Sequence, residues 1–173
     1  MKNVLVFVTA IAVLGQAIPA VAQGATESQA VAAYWDESSC AIDVFLHANH
    51  FKKSSKLNEK NYGLGFKCYH PDNLFHTSGE FFAEVGGVRN SQRSEAYFVS
   101  GGYTYKFFEM NGVRVSVSVS PTFINYGAKG RSVQKFVVLP FVSVGYGHWD
   151  MNAVYFPKHD GGFLLISAQY RFK

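Results

Sequence analysis

The stretch "VRVSVSVS", Val113 to Ser120, alternates apolar and polar residues without a break. Successive side chains of a β-strand point to opposite faces, so a strand here has one apolar and one polar face, whereas a helix would scatter both types around its surface. The same period of two recurs from residue 41 to the end. It predicts strands over roughly 41–51, 61–70, 79–88, 95–107, 112–125, 133–146, 149–156 and 163–172. Turn-forming clusters separate these runs: "HPDN" at 70–73, "EMNG" at 109–112, "NYGAKG" at 125–130 and "KHDGG" at 158–162. Eight short strands in simple succession predict an all-β fold, an antiparallel up-and-down barrel.

The N-terminus says which solvent the barrel meets. Met1-Lys2-Asn3 is a short basic start, Val4 to Leu14 is apolar, and Ala20-Val21-Ala22 has small-residue spacing. Residues 1–22 therefore read as a secretory signal peptide, and their apolar run is too short for a membrane-spanning helix. Residues 23–40, with "ATESQAVAAYWDESS", read as an N-terminal amphipathic helix or linker whose Tyr34 and Trp35 suit a membrane interface. Residues 41–173 form the barrel. Strands that alternate lipid-facing apolar and lumen-facing polar residues are those of a transmembrane barrel. Mean hydropathy near zero (+0.01) and 16% charged residues agree with that alternation. The last strand closes on Tyr170 and Phe172 with Lys173 after them, close to the aromatic ending of outer-membrane barrels. The expected location is the outer membrane of a Gram-negative bacterium, with the barrel acting as a monomer.

Cys40 and Cys68 flank the first hairpin at the end away from its loop. In an oxidising compartment they can pair. Two unpaired thiols on neighbouring strands fit the sequence equally well. With the chain entering from the periplasm, the connections after strands one, three, five and seven are extracellular. They carry Lys52, Lys53, Lys56, Lys60, Arg89, Arg93, Lys129, Arg131, Lys135 and Lys158, ten of the sixteen Lys and Arg. A cationic rim suits the phosphates of lipid A in lipopolysaccharide. It also suits plain solvation. No nucleic-acid motif, phosphate-binding glycine loop or metal-ligand spacing occurs, so neither a cofactor nor a metal is expected.

"LPFVSVGYGHWDMNAVYFP", Leu139 to Pro157, resembles the lipid A palmitoyltransferase family of outer-membrane barrels, as does the final "AQYRF". That family has Leu-Pro, Ser-Val-Gly-Tyr-Gly and Tyr-x-Pro in the same order, and its two prolines have the spacing of Pro140 and Pro157, seventeen residues apart. "LNEKNYGLGF", Leu57 to Phe66, and "RNS", Arg89 to Ser91, fall where the family has Tyr-Asn-Glu-Arg and Lys-Asp-Ser. A broader group of short outer-membrane barrels also pairs an "HF…NE.N.G" strand with "RNS".

The resemblance implies transfer of an acyl chain from a phospholipid to lipid A. Pro140 and Pro157 would lie on the sixth and seventh strands. Lacking a ladder N–H, they would leave a seam through which the family admits a lipid chain. The family's second opening, between its first two strands, is lined by prolines that this chain lacks.

The family's essential residues are a His, an Asp and a Ser, suited to acyl transfer. Ser91 takes the Ser position. Asn90 takes the Asp position, where it would orient the His or polarise a carbonyl. His47 and His50 both compete for the His. By strand alternation His47 shares a face with Asp43, toward the lumen, and His50 shares one with Ile42, Val44, Leu46 and Ala48, toward lipid. His50 is nevertheless favoured, because it lies nearer the rim. Arg89 and Arg93 would hold phosphates. Gly102 takes the position of the family's interior glycine, which leaves depth for a long acyl chain. The rival readings are a non-enzymatic lipid-binding or structural barrel, and a lipid A deacylase that uses water as acceptor.

Overall fold

The computed structural model describes residues 38–51, 59–72, 78–90, 92–128, 131–157 and 162–172. The expected signal peptide and nearly all of the expected N-terminal helix lie outside the described residues.

Eight strands form a closed antiparallel barrel in simple succession: β1 (Ser39–His50), β2 (Gly63–Pro71), β3 (Gly79–Arg89), β4 (Glu95–Met110), β5 (Val113–Ala128), β6 (Arg131–Tyr146), β7 (Trp149–Phe156) and β8 (Phe163–Phe172). β1 pairs with both β2 and β8, which closes the barrel and leaves no free sheet edge between its first and last strands. The expected bounds hold to within a few residues. One of the two largest differences is at "NYGAKG", where β5 continues through Gly127 and Ala128, each still paired to β6. β4 likewise runs to Met110 before the turn. Asn111 (φ 52°) and Gly112 (φ 80°) make that turn, and positive φ at both central residues is what a type I′ hairpin requires.

The alternation sorts the side chains. Ile42, Val44, Leu64, Phe66, Val117, Val119, Val142 and Val144 are exposed on the outside. Asp43, Lys67, Glu80, Glu84, Asp150, Asn152 and Gln169 are buried inside. A closed barrel with an apolar exterior and a polar interior pairs most backbone groups within the wall, as a bilayer demands. Tyr105, Phe107, Phe108, Met110, Tyr146, Trp149 and Tyr170 are exposed toward the end that holds both chain ends, where aromatic side chains anchor a barrel at the membrane interface. The register shift between Lys106 and Phe108 turns Phe107 and Phe108 outward together.

Cys40 and Cys68 are directly opposite in the β1–β2 ladder and form a disulfide. Both stand on the outer face, opposite in parity to the inward Ala41, Lys67 and Tyr69, and clip the first turn of β1 to β2.

Candidate functional site

The lumen is layered. Nearer the chain ends, Arg171 grips Glu80 with Nη1 at 2.9 and 3.1 Å from its two carboxylate oxygens. Lys106 Nζ donates to Glu80 at 2.9 Å and Arg114 donates to Asp150 at 3.0 Å. Arg171 also stacks on Tyr69, 3.9 Å from its ring centroid. Tyr69, Phe82 and Phe141 pack with Ala41 as a shelf across the lumen. Above the shelf, Lys67 Nζ stands 5.0 Å from the Phe82 ring and 4.9 Å from the Phe141 ring. Lys67 pairs with Glu84 at 3.0 Å and with Asp43 at 3.4 Å.

Over this charged layer lies a cavity of about 550 Å³, counting its open mouth, with Asp43, Lys67 and Glu84 at its base. Its walls are Phe45, Val88, Phe98, Leu139, Val154 and Leu165, contributed by the halves of the strands away from the chain ends.

Two breaks in the wall have sequence causes. The β6–β7 ladder runs from Tyr146↔Trp149 to Phe141↔Val154 and stops there. Pro140 is the next residue of β6 and pairs only toward β5, with Val119. Pro157 follows the last residue of β7. The cavity residues Leu139 and Val154 border this gap, so the ladder is unpaired where the cavity begins. A second break lies between β4 and β5, where pairing skips Gly101 and Gly102 opposite Ser120 and Pro121. Pro121 has no N–H to give there.

The expected faces of the two histidines are reversed. A register shift between Phe45 and His47 in the β1–β8 ladder inserts Leu46 as a bulge. Leu46 and His47 are consecutive exposed residues, after which Ala48 and His50 are buried. His47 therefore faces outward, and His50 faces the lumen with its ring 5.0 Å from that of Phe163 on β8. One extra residue shifts every later side chain to the opposite face.

Asn90 works in its own loop. Its Oδ1 accepts from the backbone N–H of Gln92 at 2.9 Å and of Ser94 at 3.0 Å, and its Nδ2 donates to the Gly127 carbonyl at 2.8 Å. The Arg93 N–H closes the turn onto the Asn90 carbonyl at 3.0 Å, and Arg93 takes φ 64°. These bonds tie the β3–β4 loop to β5. They do not run toward His50, which sits on β1 against β8. Ser91 lies outside the described residues. Arg89 and Arg93 are exposed.

Gly102 faces inward as expected, but the depth expected of it is filled. A Cβ there would overlap the Val119 carbonyl oxygen and stand 2.6 Å from Phe82 Cζ. The Phe82 ring covers this glycine and forms part of the shelf, so the cavity ends above it. The charged base of the cavity was not singled out in the sequence as a site. Its signal is three charges in apolar strand runs, "AIDVF", "GFKCY" and "FFAEV", each at an inward position.

No protein-family model and no curated protein sequence matches the chain. Among solved structures, Neisserial surface protein A is similar at 15% identity over 78% of this chain and 96% of its own, with a TM-score of 0.46. The crystal structure of Ail, the attachment invasion locus protein of Yersinia pestis, is similar at 14% identity over 79% and 99%, with a TM-score of 0.43. The same outer membrane protein in a phospholipid bilayer nanodisc gives 18% identity over 79% and 100%, with a TM-score of 0.41. These are likenesses of fold; the barrel assignment stands on the chain's own ladders and apolar exterior. The chain is a closed eight-stranded antiparallel barrel with the apolar exterior of a membrane-spanning wall.

Proposed function

We propose that this barrel takes up an apolar chain of an outer-leaflet lipid, entering sideways between β6 and β7. The observation that carries the reading is the apolar cavity bordered by Leu139 and Val154 where the β6–β7 ladder stops at Pro140. A lipid chain in the bilayer meets a stretch of wall there that the ladder does not close. Exposed Lys60, Arg89, Arg93 and Lys135 near the same end suit the phosphates of lipid A. The test is a photoactivatable fatty-acyl phospholipid in vesicles carrying the folded barrel. Crosslinks at Leu139, Val154 or Leu165 are expected. Crosslinks confined to the outward Val142 and Val144 would reject uptake.

A second reading, transfer of that chain to a lipid A hydroxyl, is favoured by one observation: the Leu46 bulge turns His50 inward near the cavity mouth. His50 would take the proton of the lipid A hydroxyl as that oxygen attacks the phospholipid ester carbonyl; the ester bond to glycerol breaks, the lysophospholipid leaves with the proton, and Ser91 would hydrogen-bond the reacting hydroxyl. Mass spectrometry of lipid A from a bacterium lacking its own palmitoyltransferase and expressing this chain decides it. A gain of one acyl chain that is lost in His50→Ala and Ser91→Ala supports transfer. Loss of a chain points to the deacylase, and an unchanged lipid A leaves a binding barrel.

A further inference from the structure

The cavity is not apolar on every side. On the β4–β5 wall it is lined by Ser100, Ser120 and Thr122, each at most 4% exposed. The strand order puts β8 and β1, with Leu165 and Phe45, on the opposite wall. Ser100 and Thr122 are direct partners across the β4–β5 ladder, and Ser120 follows on the same face of β5. Side chains so placed stand about 5 Å apart at Cβ, so the three hydroxyls make one patch. The patch lies level with the gap in the wall: Ser120 pairs with Leu139, which borders the gap, and Thr122 pairs with Val137. At the cavity base, by contrast, Glu84 hydrogen-bonds Asp43 and Lys67 pairs with both, so the charged groups there satisfy one another.

A serine or threonine hydroxyl has one proton to give and two lone pairs to receive. Thr122 Oγ1 donates to the Ser120 carbonyl at 3.1 Å. The 3.1 Å contact between the two hydroxyls must then use the proton of Ser120. Both protons are taken within the protein, and the lone pairs left over can only accept. Ser100 is different: its hydroxyl makes no hydrogen bond to another described residue, so it still has a proton to place. A plain hydrocarbon answers neither need. A carbonyl or ether oxygen could accept from Ser100 but has nothing to give Ser120 and Thr122, whereas a hydroxyl does both. We infer that the cavity is built for an acyl chain carrying a hydroxyl near its carbonyl end, as in a 3-hydroxyacyl group. That hydroxyl donates to Ser120 or Thr122 and accepts from Ser100. It belongs near the carbonyl end because only Ile124 of the β5 lining lies between the patch and the mouth, while the rest of the chain continues toward the base. This rests on the reading that the cavity takes an apolar chain, and it names the class of that chain.

The experiment is an NMR titration of the isotope-labelled barrel in phosphocholine micelles with methyl 3-hydroxydodecanoate and, separately, methyl dodecanoate. The readout is the side-chain amide of Asn152, which lines the cavity base and is not touched by either substitution below. The quantity compared is the ratio of the two dissociation constants in wild type and in the Ser100→Ala, Ser120→Ala double variant. Comparing that ratio between proteins cancels any unequal partition of the two esters into the micelle. The preference for the hydroxy ester is expected to be about fivefold greater in wild type, the net value of one neutral hydrogen bond. Ser100→Ala alone leaves the Thr122 bond to the Ser120 carbonyl in place. It should lower the preference in the same direction, and it serves if the double variant does not fold. A ratio unchanged by the substitutions would overturn the inference while the cavity reading stands. No shift of Asn152 with either ester would overturn both.

Discussion

Asn90 holds Gly127: the side-chain amide donates to that carbonyl at 2.8 Å and so pins the β3–β4 loop to β5. An aspartate in its place keeps the acceptor for Gln92 and Ser94 but loses the donor and sets a carboxylate against a carbonyl. Asn90→Asp should therefore destabilise the barrel in vesicles by about 1 kcal/mol, read from urea unfolding. It should also leave the Gln92 and Ser94 amides protected from exchange. Unchanged stability would mean that the Gly127 bond contributes nothing measurable.

The bulge at Leu46 makes a prediction about two histidines. A spin label on His47→Cys should be reached by a lipid-soluble relaxation agent, and one on His50→Cys should not. The reverse pattern would show that β1 keeps simple alternation to its end.

Gly102 and Phe82 are one packing unit. Gly102→Ala should destabilise the barrel by roughly 1–3 kcal/mol, the usual range for overfilling a packed interior. Combined with Phe82→Leu, part of that cost should disappear, because the ring is one of the two obstacles to a Cβ. Strict additivity in the double-mutant cycle would show that only the Val119 carbonyl matters.

Lys67 is the sole cation between Asp43 and Glu84 among the described residues, and all three are buried. Lys67→Met strands two carboxylates and should cost about 3–5 kcal/mol in urea unfolding. Glu84→Gln leaves Lys67 paired with Asp43 and should cost clearly less. Equal losses from the two changes would show that Asp43 alone does not hold Lys67.

Much of the architecture was legible because a membrane barrel wall imposes one local rule. Each strand must present alternate residues to lipid and to lumen, and local sequence carries that period. "VRVSVSVS" became the first half of β5, and Asn111-Gly112 became a tight turn because those residues accept positive φ. β5 runs through "NYGA" because pairing with β6 outweighs the local turn preference of Asn125 and Gly127.

The site was less legible, since its parts depend on pairings between distant residues. Nothing local marks Leu46 as the extra residue; the shift exists only in the register of β1 against β8, and it decides which histidine faces the lumen. Asn90 could be matched to a position by sequence, but its carbonyl partner comes from β5.

The sequence by itself determined the number of strands, their order, the apolar outside and the two prolines flanking the β6–β7 gap, since these follow from residue type and period. Tertiary structure alone decided the disulfide between Cys40 and Cys68, the direction of His50, the ring that fills the space at Gly102, and the grouping of Asp43, Lys67 and Glu84 beneath the cavity. Those four depend on ladder register and barrel closure, which bring side chains from β1, β2 and β3 within a few ångströms of one another across long separations in the chain.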